Sequence, residues 1–485
     1  MTLDTLQPRS VWAHFATLCA IPRASLQEAA LVEHLIAWAQ ARNIAATVDA
    51  VGNLILSKAA SAGCETQAGV ILQGHLDMVC QANSGTAHDF ERDAIRVTIE
   101  DGWVIAKDTT LGADNGIGVA LALAALEAPD LVHPALEVLL TINEESGMDG
   151  ARGLVSGTLQ GKTLINLDTE EWGHFYLGCA GGVDVTVRHE ALQATVPQDY
   201  ALLRFEVSGL RGGHSGIDIH LGRGNAIKLL VETLRDLSAH ADLRLIEMVG
   251  GTARNAIPRE AFAVCALPVA IAANIDEWVQ HRHAAWRTRF AAVDAQVSFV
   301  CQHDDSIPDL ALVNAERDSL LAFLDIAANG VAQRSEDFPD VTDTSSNLGV
   351  VALAQGTFNA TFKVRSLEDA RADALADKLV AHARSYALKA EKGGAYPGWT
   401  PNPASHLLER CQQVYAAEFG QPASLQVIHA GLECGLLAAS HPHLDMISFG
   451  PNIRGAHAPG ERVEIESVAH CWQLLQAVLQ ALATD

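Results

Sequence analysis

Five side chains of the metal-ligating type are spread along most of the chain, each at the end of an apolar stretch. They are His75 in G-H-L-D-M-V, Asp114 in L-G-A-D-N-G, Glu145 in N-E-E-S-G, Asp168 in I-N-L-D-T and His457 in R-G-A-H-A-P-G. Residues so far apart in sequence act together only if the fold gathers several strand ends at one place, which restricts the topology severely. All five are carboxylates or imidazoles and none is a thiolate, a donor set that suits two zinc or manganese ions engaged in hydrolysis.

The pattern around them supports such a fold. The first third alternates short β-rich runs with helical ones, which points to an α/β sheet with helices on its faces. The expected strands Gly69–Gln73, Leu136–Thr141 and Thr163–Asn166 each run into one of the motifs, and Ile117–Glu127 reads as a helix introduced by Asp114-Asn115-Gly116. Ligands of open α/β sheets gather beyond the carboxyl ends of strands. From about Val187 the texture changes, with expected strands Leu202–Val207, Ala261–Val269 and Gly356–Val364 and helices Asn225–Ser238, Ile275–Ala292 and Leu367–Ala390. Lys392 to Pro401, rich in Gly and Pro, reads as a linker. Beyond it a helix over Pro403–Phe419, a strand near Leu444–Ser448 and the His457 loop resume the first texture. The expected organisation is a site-bearing domain, 1–186 and 399–485, split by an inserted domain, 187–398. No internal repeat is visible in the sequence, and the acidic run Asp337–Asp343 reads as a solvated loop.

Composition narrows the class. The 485 residues exceed what one hydrophobic core usually supports, and their 49% hydrophobic content supplies two. A formal net charge of -25 repels phosphate backbones and anionic lipid, which argues against nucleic-acid and membrane partners. Nine cysteines without a C-x-x-C pair read as free thiols in a reducing compartment. With no signal peptide and no apolar run of membrane length, a cytoplasmic location is expected.

Side-chain chemistry leaves alternatives open at each position. In a strand, His75 and Asp77 face the same way, so one could bind metal while the other orients it; an ordinary core or surface pair looks the same. Adjacent Glu144 and Glu145 point apart, which frees one to act as a general base while the other ligates, although paired glutamates also occur in solvated turns. Asp114 either caps the following helix or bridges two ions. Asp168 has the same ambiguity, and His457 in a Gly- and Pro-rich loop could be a plain surface histidine.

Taken together, G-H-L-D-M-V, D-T-T-L-G-A-D-N-G-I-G, T-I-N-E-E-S-G-M-D-G-A, L-I-N-L-D-T-E-E, L-R-G-G-H-S-G, R-N-A-I-P and G-A-H-A-P-G-E-R make the chain resemble, over nearly its whole length, the co-catalytic dizinc peptidases related to glutamate carboxypeptidase and aminoacylase. Within that family it is most similar to the bacterial aminoacyl-histidine dipeptidases. The resemblance implies a mixed-sheet α/β catalytic domain with an inserted α+β lid or dimerisation domain. It also implies His75 and Asp168 on one zinc, Glu145 and His457 on the other, Asp114 bridging, Asp77 orienting His75 and Glu144 as base; manganese or cobalt would also suit these ligands. In the family it resembles, the position of Asp168 is typically aspartate in aminopeptidases and dipeptidases and glutamate in carboxypeptidases and deacylases, so the resemblance implies a dipeptidase.

For the insert, the resemblance matches His214 to a lid histidine that steadies the oxyanion, against the plainer reading of a residue ending a turn among glycines. Arg254, Asn255 and Arg365 are candidates for the substrate carboxylate, with Asn255 favoured and Arg365 equally readable as a strand-edge arginine. Glu433 is a candidate for the substrate's amino group or for a structural role. Relatives often form homodimers through the insert and sometimes lend the lid histidine across subunits. The implied activity is hydrolysis of small peptides, Xaa-His dipeptides first and carnosine-like β-alanyl substrates next. Tripeptide or broad-specificity peptidase, amidohydrolase and catalytically silent relative are the alternatives.

Overall fold

The computed structural model describes residues 2–304, 310–336 and 339–484. The chain forms two compact units, one of 1–179, 399–427 and 432–485, the other of 180–398 and 428–431.

The first unit is built on an eight-stranded mixed sheet. Its spatial order is Ala45–Val48, Leu54–Lys58, Leu136–Thr141, Val70–His75, Thr163–Asn166, Asp445–Ser448, His174–Cys179 and Ser424–Ile428. The four strands from Leu136–Thr141 to Asp445–Ser448 are mutually parallel and the outer ones antiparallel where register is defined. Parallel strands covered on both faces read as continuous apolar runs, and Val70–His75 is buried at every residue. Helix Ala113–Glu127 is buried on all sides from Asn115 to Leu126 because it lies between this sheet and helices Arg9–Ala20 and Ile465–Leu482. Its small residues let it approach closely: a Cβ on Gly118 would stand 2.2 Å from the Leu167 carbonyl, and one on Gly74 the same distance from Asn115 Oδ1. That approach sets the start of the helix, and Asp114 with it, against the carboxyl ends of the strands. A small four-stranded sheet, Ile453–Arg454, Arg462–Glu464, Trp103–Ile105 and Thr98–Glu100, carries the His457 loop between its first two strands.

The second unit holds a repeat that the sequence conceals. Strands Tyr200–Ser208, Arg244–Gly250, Ala261–Pro268 and Ser298–Asp304 with helices Ala226–His240 and Ile275–Arg289 follow a βαββαβ order. Strands Gly181–Glu190, Thr342–Ala354, Thr357–Ser366 and Lys389–Tyr396 with helices Asn314–Ile326 and Asp369–Ser385 follow the same order. The first set is inserted between the first strand and first helix of the second, where Gln193–Thr195 pairs with Leu310–Leu312. Pairing of Arg244–Gly250 with Thr342–Ala354 merges both sets into one nine-stranded sheet, whose ninth strand is Gly330–Arg334.

Three sequence expectations are corrected. The first half of the expected linker, Lys392–Tyr396, is the end of strand Lys389–Tyr396, paired with Gly181–Glu190; the glycines mark a break in its register, tolerated at a sheet edge. The preceding helix accordingly stops at Ser385 and not at Ala390. In the acidic run, Asp337 and Phe338 lie outside the described residues, but Thr342 and Asp343 begin a strand and are buried. Asp343 there accepts hydrogen bonds from Thr344 and Ser366 and pairs with Arg371. All nine cysteines are free thiols, and among the described residues no helix is long and apolar enough to cross a membrane.

The close approach at Gly118 is testable. Gly118→Ala places a methyl against the Leu167 carbonyl and should cost about 1–3 kcal/mol, seen as a lower urea midpoint. Gly393→Ala, whose methyl meets open space, should leave the midpoint unchanged.

Candidate metal centre

The first unit brings all five metal-type side chains together. His75 is the last residue of its strand, Asp168 lies two residues past Thr163–Asn166, and Glu144 and Glu145 open a short helix after Leu136–Thr141. Asp114 stands at the start of its helix. His457 and Asn143, the residue before Glu144, both have left-handed backbone (φ 66° and 52°), a conformation that aims the neighbouring side chains at some conformational cost.

Asp114 is the centre of the arrangement. Its Oδ1 lies 3.1 Å from His75 Nε2 and its Oδ2 3.1 Å from His457 Nε2. Asp168 Oδ1 is 3.4 Å from His75 Nε2, and Glu145 Oε2 is 3.1 Å from His457 Nε2. Three overlapping clusters result among the described residues, His75 with Asp114 and Asp168, His75 with Glu144 and Glu145, and Asp114 with Glu145 and His457, the candidate ligand atoms of each lying within 4.8 Å of one another.

Asp77, fully buried, organises the surroundings. Its backbone carbonyl accepts the His75 Nδ1 proton at 3.1 Å, and its carboxylate accepts the N–H groups of Glu144 (2.9 Å) and Glu145 (3.2 Å) and the Ser25 hydroxyl (2.7 Å). Burial would raise its pKa, but these hydrogen bonds and the His75 charge hold it at about 2. With Nδ1–H engaged, His75 in its neutral form turns the Nε2 lone pair toward two carboxylate oxygens, a contact that calls for a cation. Asp168 Oδ1 and Glu145 Oε1 are buried without a hydrogen-bond partner, a further mark of donors intended for an ion.

The electrostatics agree. Burial opposes charge on His75, yet Asp168 and Asp114 raise its pKa well above the usual imidazole range. Hydrogen bonds to Asp114 and Glu145 hold His457 up at about 11. Burial pushes Asp168 up to about 7, with Asp114 and Glu433 adding to the effect against His75. It also lifts Glu144 well above the carboxylate range, helped by Asp168, Glu433 and Glu145. Protons therefore gather where cations would otherwise sit.

Sequence reasoning missed several members of this site. Glu170 is held up at about 8 by burial and the Asp114 charge, so it adds a protonated carboxyl beside the cluster at neutral pH. Glu28 accepts the Asn143 N–H at 2.8 Å. Buried Glu461 and Arg23 grip the turn before Asp114. The paired acids in D-T-E-E were the one signal available for Glu170; the other residues act on backbone atoms far away in sequence.

The remaining candidates fall as follows. Glu433 is fully buried, its Oε2 accepting from Gln73 Nε2 and Thr141 Oγ1 at 2.6 Å each and its Oε1 without a partner. In the second unit, Arg365 sits on an interior strand, 4% exposed, and donates to the Tyr396 hydroxyl and, at 3.4 Å, to Ser215 Oγ. It is not the edge arginine the sequence allowed. His214 Nδ1 accepts the N–H groups of Gly216 (3.2 Å) and Ile217 (3.0 Å), which places the ring proton on Nε2, 3.3 Å from Arg365 Nη2. Two donors thus converge with no acceptor between them, an anion-seeking pair. Burial and the Arg365 charge hold His214 neutral down to about 4. Asn255 is exposed and contributes its backbone carbonyl to the Ser215 N–H; Arg254, also exposed, pairs with Asp184. Ser345 and His429, unnoticed in the sequence, are buried and bonded to each other at 2.7 Å.

A profile of Peptidase family M20/M25/M40 matches residues 71–481. The chain belongs to this family. It is 42% identical over 482 residues to the cytosol non-specific dipeptidase of Escherichia coli (strain K12), with 99% of each chain covered. The crystal structure of the aminoacylhistidine dipeptidase from Vibrio alginolyticus matches with a TM-score of 0.89 and 38% identity over 99% of this chain and 98% of that one. Aminopeptidase PepT from Bacillus cereus, at 15% identity and a TM-score of 0.57 over 99% of each chain, shares the fold. Family members are dimetal-dependent peptidases, and this M20 chain has a donor set that fits two ions.

Metal binding here should release protons. Asp168, held up at about 7 without metal, and His457, at about 11, must be deprotonated to ligate, so zinc affinity of the apoprotein should fall as pH drops through 7 and below. Calorimetric titrations in buffers of different ionisation enthalpy check this; a pH-independent affinity would contradict it.

Proposed function

We propose that this M20 peptidase hydrolyses dipeptides, with histidine preferred at the C-terminal position. The observation that carries the reading is Asp114, whose two oxygens each face a different imidazole at 3.1 Å, with Glu144 beside them. His75 and Asp168 would hold one divalent ion, Glu145 and His457 the other, and Asp114 would be shared. Zinc suits the carboxylate and imidazole ligands best, with manganese and cobalt also accommodated. When bound, the two ions supply Lewis acidity to the attacking water and the scissile carbonyl.

The chain's own groups do the rest. Glu144, adjacent to the ligand Glu145 and beside His75, is the carboxylate placed to take the water's proton and return it to the departing amine. Asp77 keeps His75 in the tautomer with Nε2 available. His214, neutral and protonated at Nε2, is a donor for the developing oxyanion, and Arg365 is the fork for the substrate's terminal carboxylate. The insert would then act as a lid, and the resemblance supports a homodimer, which light scattering on the purified protein reads directly. A cytoplasmic location accords with the name of the Escherichia coli relative.

The histidine preference is supported by the Vibrio alginolyticus relative, an aminoacylhistidine dipeptidase. The Escherichia coli relative is a non-specific dipeptidase, which favours broad dipeptide hydrolysis as the second reading. Amine release from Ala-His, β-Ala-His, Ala-Leu, Ala-Ala-Ala and N-acetyl-His separates the two. Turnover concentrated on the histidine dipeptides supports the first reading and equal turnover of Ala-Leu the second; activity on the tripeptide or acetylated substrate overturns both. Glu144→Gln should lower kcat by about 10²–10⁴-fold on every substrate cleaved.

A further inference from the structure

We infer that Glu461, together with Arg23, is a positioning residue that fixes Asp114 in its shared orientation before any metal arrives. The inference rests on the metal-centre reading above. Glu461 is 1% exposed, and its carboxylate accepts four consecutive backbone N–H groups. Oε2 takes those of Leu111 (2.7 Å) and Gly112 (2.9 Å), Oε1 those of Ala113 (2.8 Å) and Asp114 (3.2 Å). Four donors on one carboxylate occupy its lone-pair directions and define the path of the turn that carries Asp114.

The other edge of the same turn belongs to Arg23, 2% exposed, whose Nη2 donates to the Gly112 carbonyl. Its Nη1 donates to the carbonyls of Leu76 (2.8 Å) and Asp77 (3.0 Å), the residues following His75. Gly112 has φ 68°, and a Cβ there would stand 2.4 Å from the guanidinium. Glu461 itself lies four residues beyond His457. Its carbonyl accepts the Ala106 N–H (3.1 Å), and the Gly460 N–H donates to the carbonyls of Ala106 (2.9 Å) and Thr109 (3.2 Å). Two buried, opposite charges therefore tie together the segments bearing His75, Asp114 and His457.

A shared carboxylate is demanding in this way: each oxygen must meet a different partner, and a small rotation of the turn improves one contact while losing the other. Residues that hold ligands from outside the ligand set typically carry about 10–100-fold in metal affinity. Neither Arg23 nor Glu461 reaches the reacting atoms, so both act through Asp114.

The test titrates full-length apoprotein with cobalt(II) by calorimetry and visible absorption, comparing wild type, Glu461→Gln and Arg23→Lys. Glu461→Gln keeps the size but turns an amide donor toward the N–H groups; Arg23→Lys keeps the charge but loses the fork. The expected result is about 10–100-fold weaker cobalt binding, an altered cobalt spectrum, and a fall in kcat with little change in KM that excess metal partly restores. Unchanged affinity and spectrum, even with a lower melting temperature, would overturn the inference and leave both residues structural. If Glu461→Gln fails to fold, Arg23→Lys decides by the same criteria. A wild type that binds fewer than two equivalents would instead overturn the metal-centre reading itself.

Discussion

Like-charge repulsion between buried carboxylates is the constraint on which the first unit depends. Asp114, Asp168, Glu144 and Glu145 converge at the strand ends, with Glu433 close enough to raise the proton affinity of Glu144 and Asp168, and with Glu170 raised in turn by Asp114 and Asp168. Each like-charged pair about 4 Å apart costs on the order of 4 kcal/mol at an effective dielectric near 20. A cluster of this kind persists only if something positive shares it. His75 and His457 supply part of that as protonated rings, and divalent ions would supply it more completely. The surrounding structure makes sense as a means of preventing the carboxylates from moving apart: Asp77 ties the Glu144–Glu145 backbone to the His75 loop, and helix Ala113–Glu127 is seated so tightly that glycine is required at 118.

The second unit presents the opposite electrostatics. Its notable groups are donors, His214 Nε2–H and the Arg365 guanidinium, and Arg365 pairs with Ser345 in the buried polar start, 342–347, of strand Thr342–Ala354, where alternate residues of an ordinary strand would be apolar. Buried polar side chains are retained where they are hydrogen-bonded, and Asp343, Ser345 and Asn347 each have partners on neighbouring segments. The βαββαβ repeat gives this strand its setting. Pairing of the two sets through Arg244–Gly250 and Thr342–Ala354 covers an edge that either set alone would expose to solvent and to other chains.

Much of this was legible in the sequence, for identifiable reasons. His75, Asp114, Glu144, Glu145 and Asp168 follow apolar runs, and a run that ends in a ligand-type residue is a local pattern. Glu461 and Arg23 have no local pattern, because their partners are backbone amides and carbonyls up to 350 residues away and any sequence provides those. The Lys389–Tyr396 strand was hidden because Gly393 and Gly394 signal a turn and a bulge alike. The repeat was hidden because one copy interrupts the other, so no fixed period connects them. The interior position of Arg365 was hidden for a similar reason: whether a strand is central or at an edge depends on pairing across the sheet, here with Gly182 and Ser345 on either side.

This separation of charge has a consequence for how such an enzyme diversifies. The negative cluster and its proposed base belong to one unit, and the donors suited to a substrate's carboxylate belong to the other. On the proposed reading, substitutions around Arg365 would change how a substrate is held without touching the packing that keeps the carboxylates together. The reverse does not hold: Asp114 is fixed through Glu461, Arg23 and the seating of its helix, so a change to any of them reaches the shared ligand.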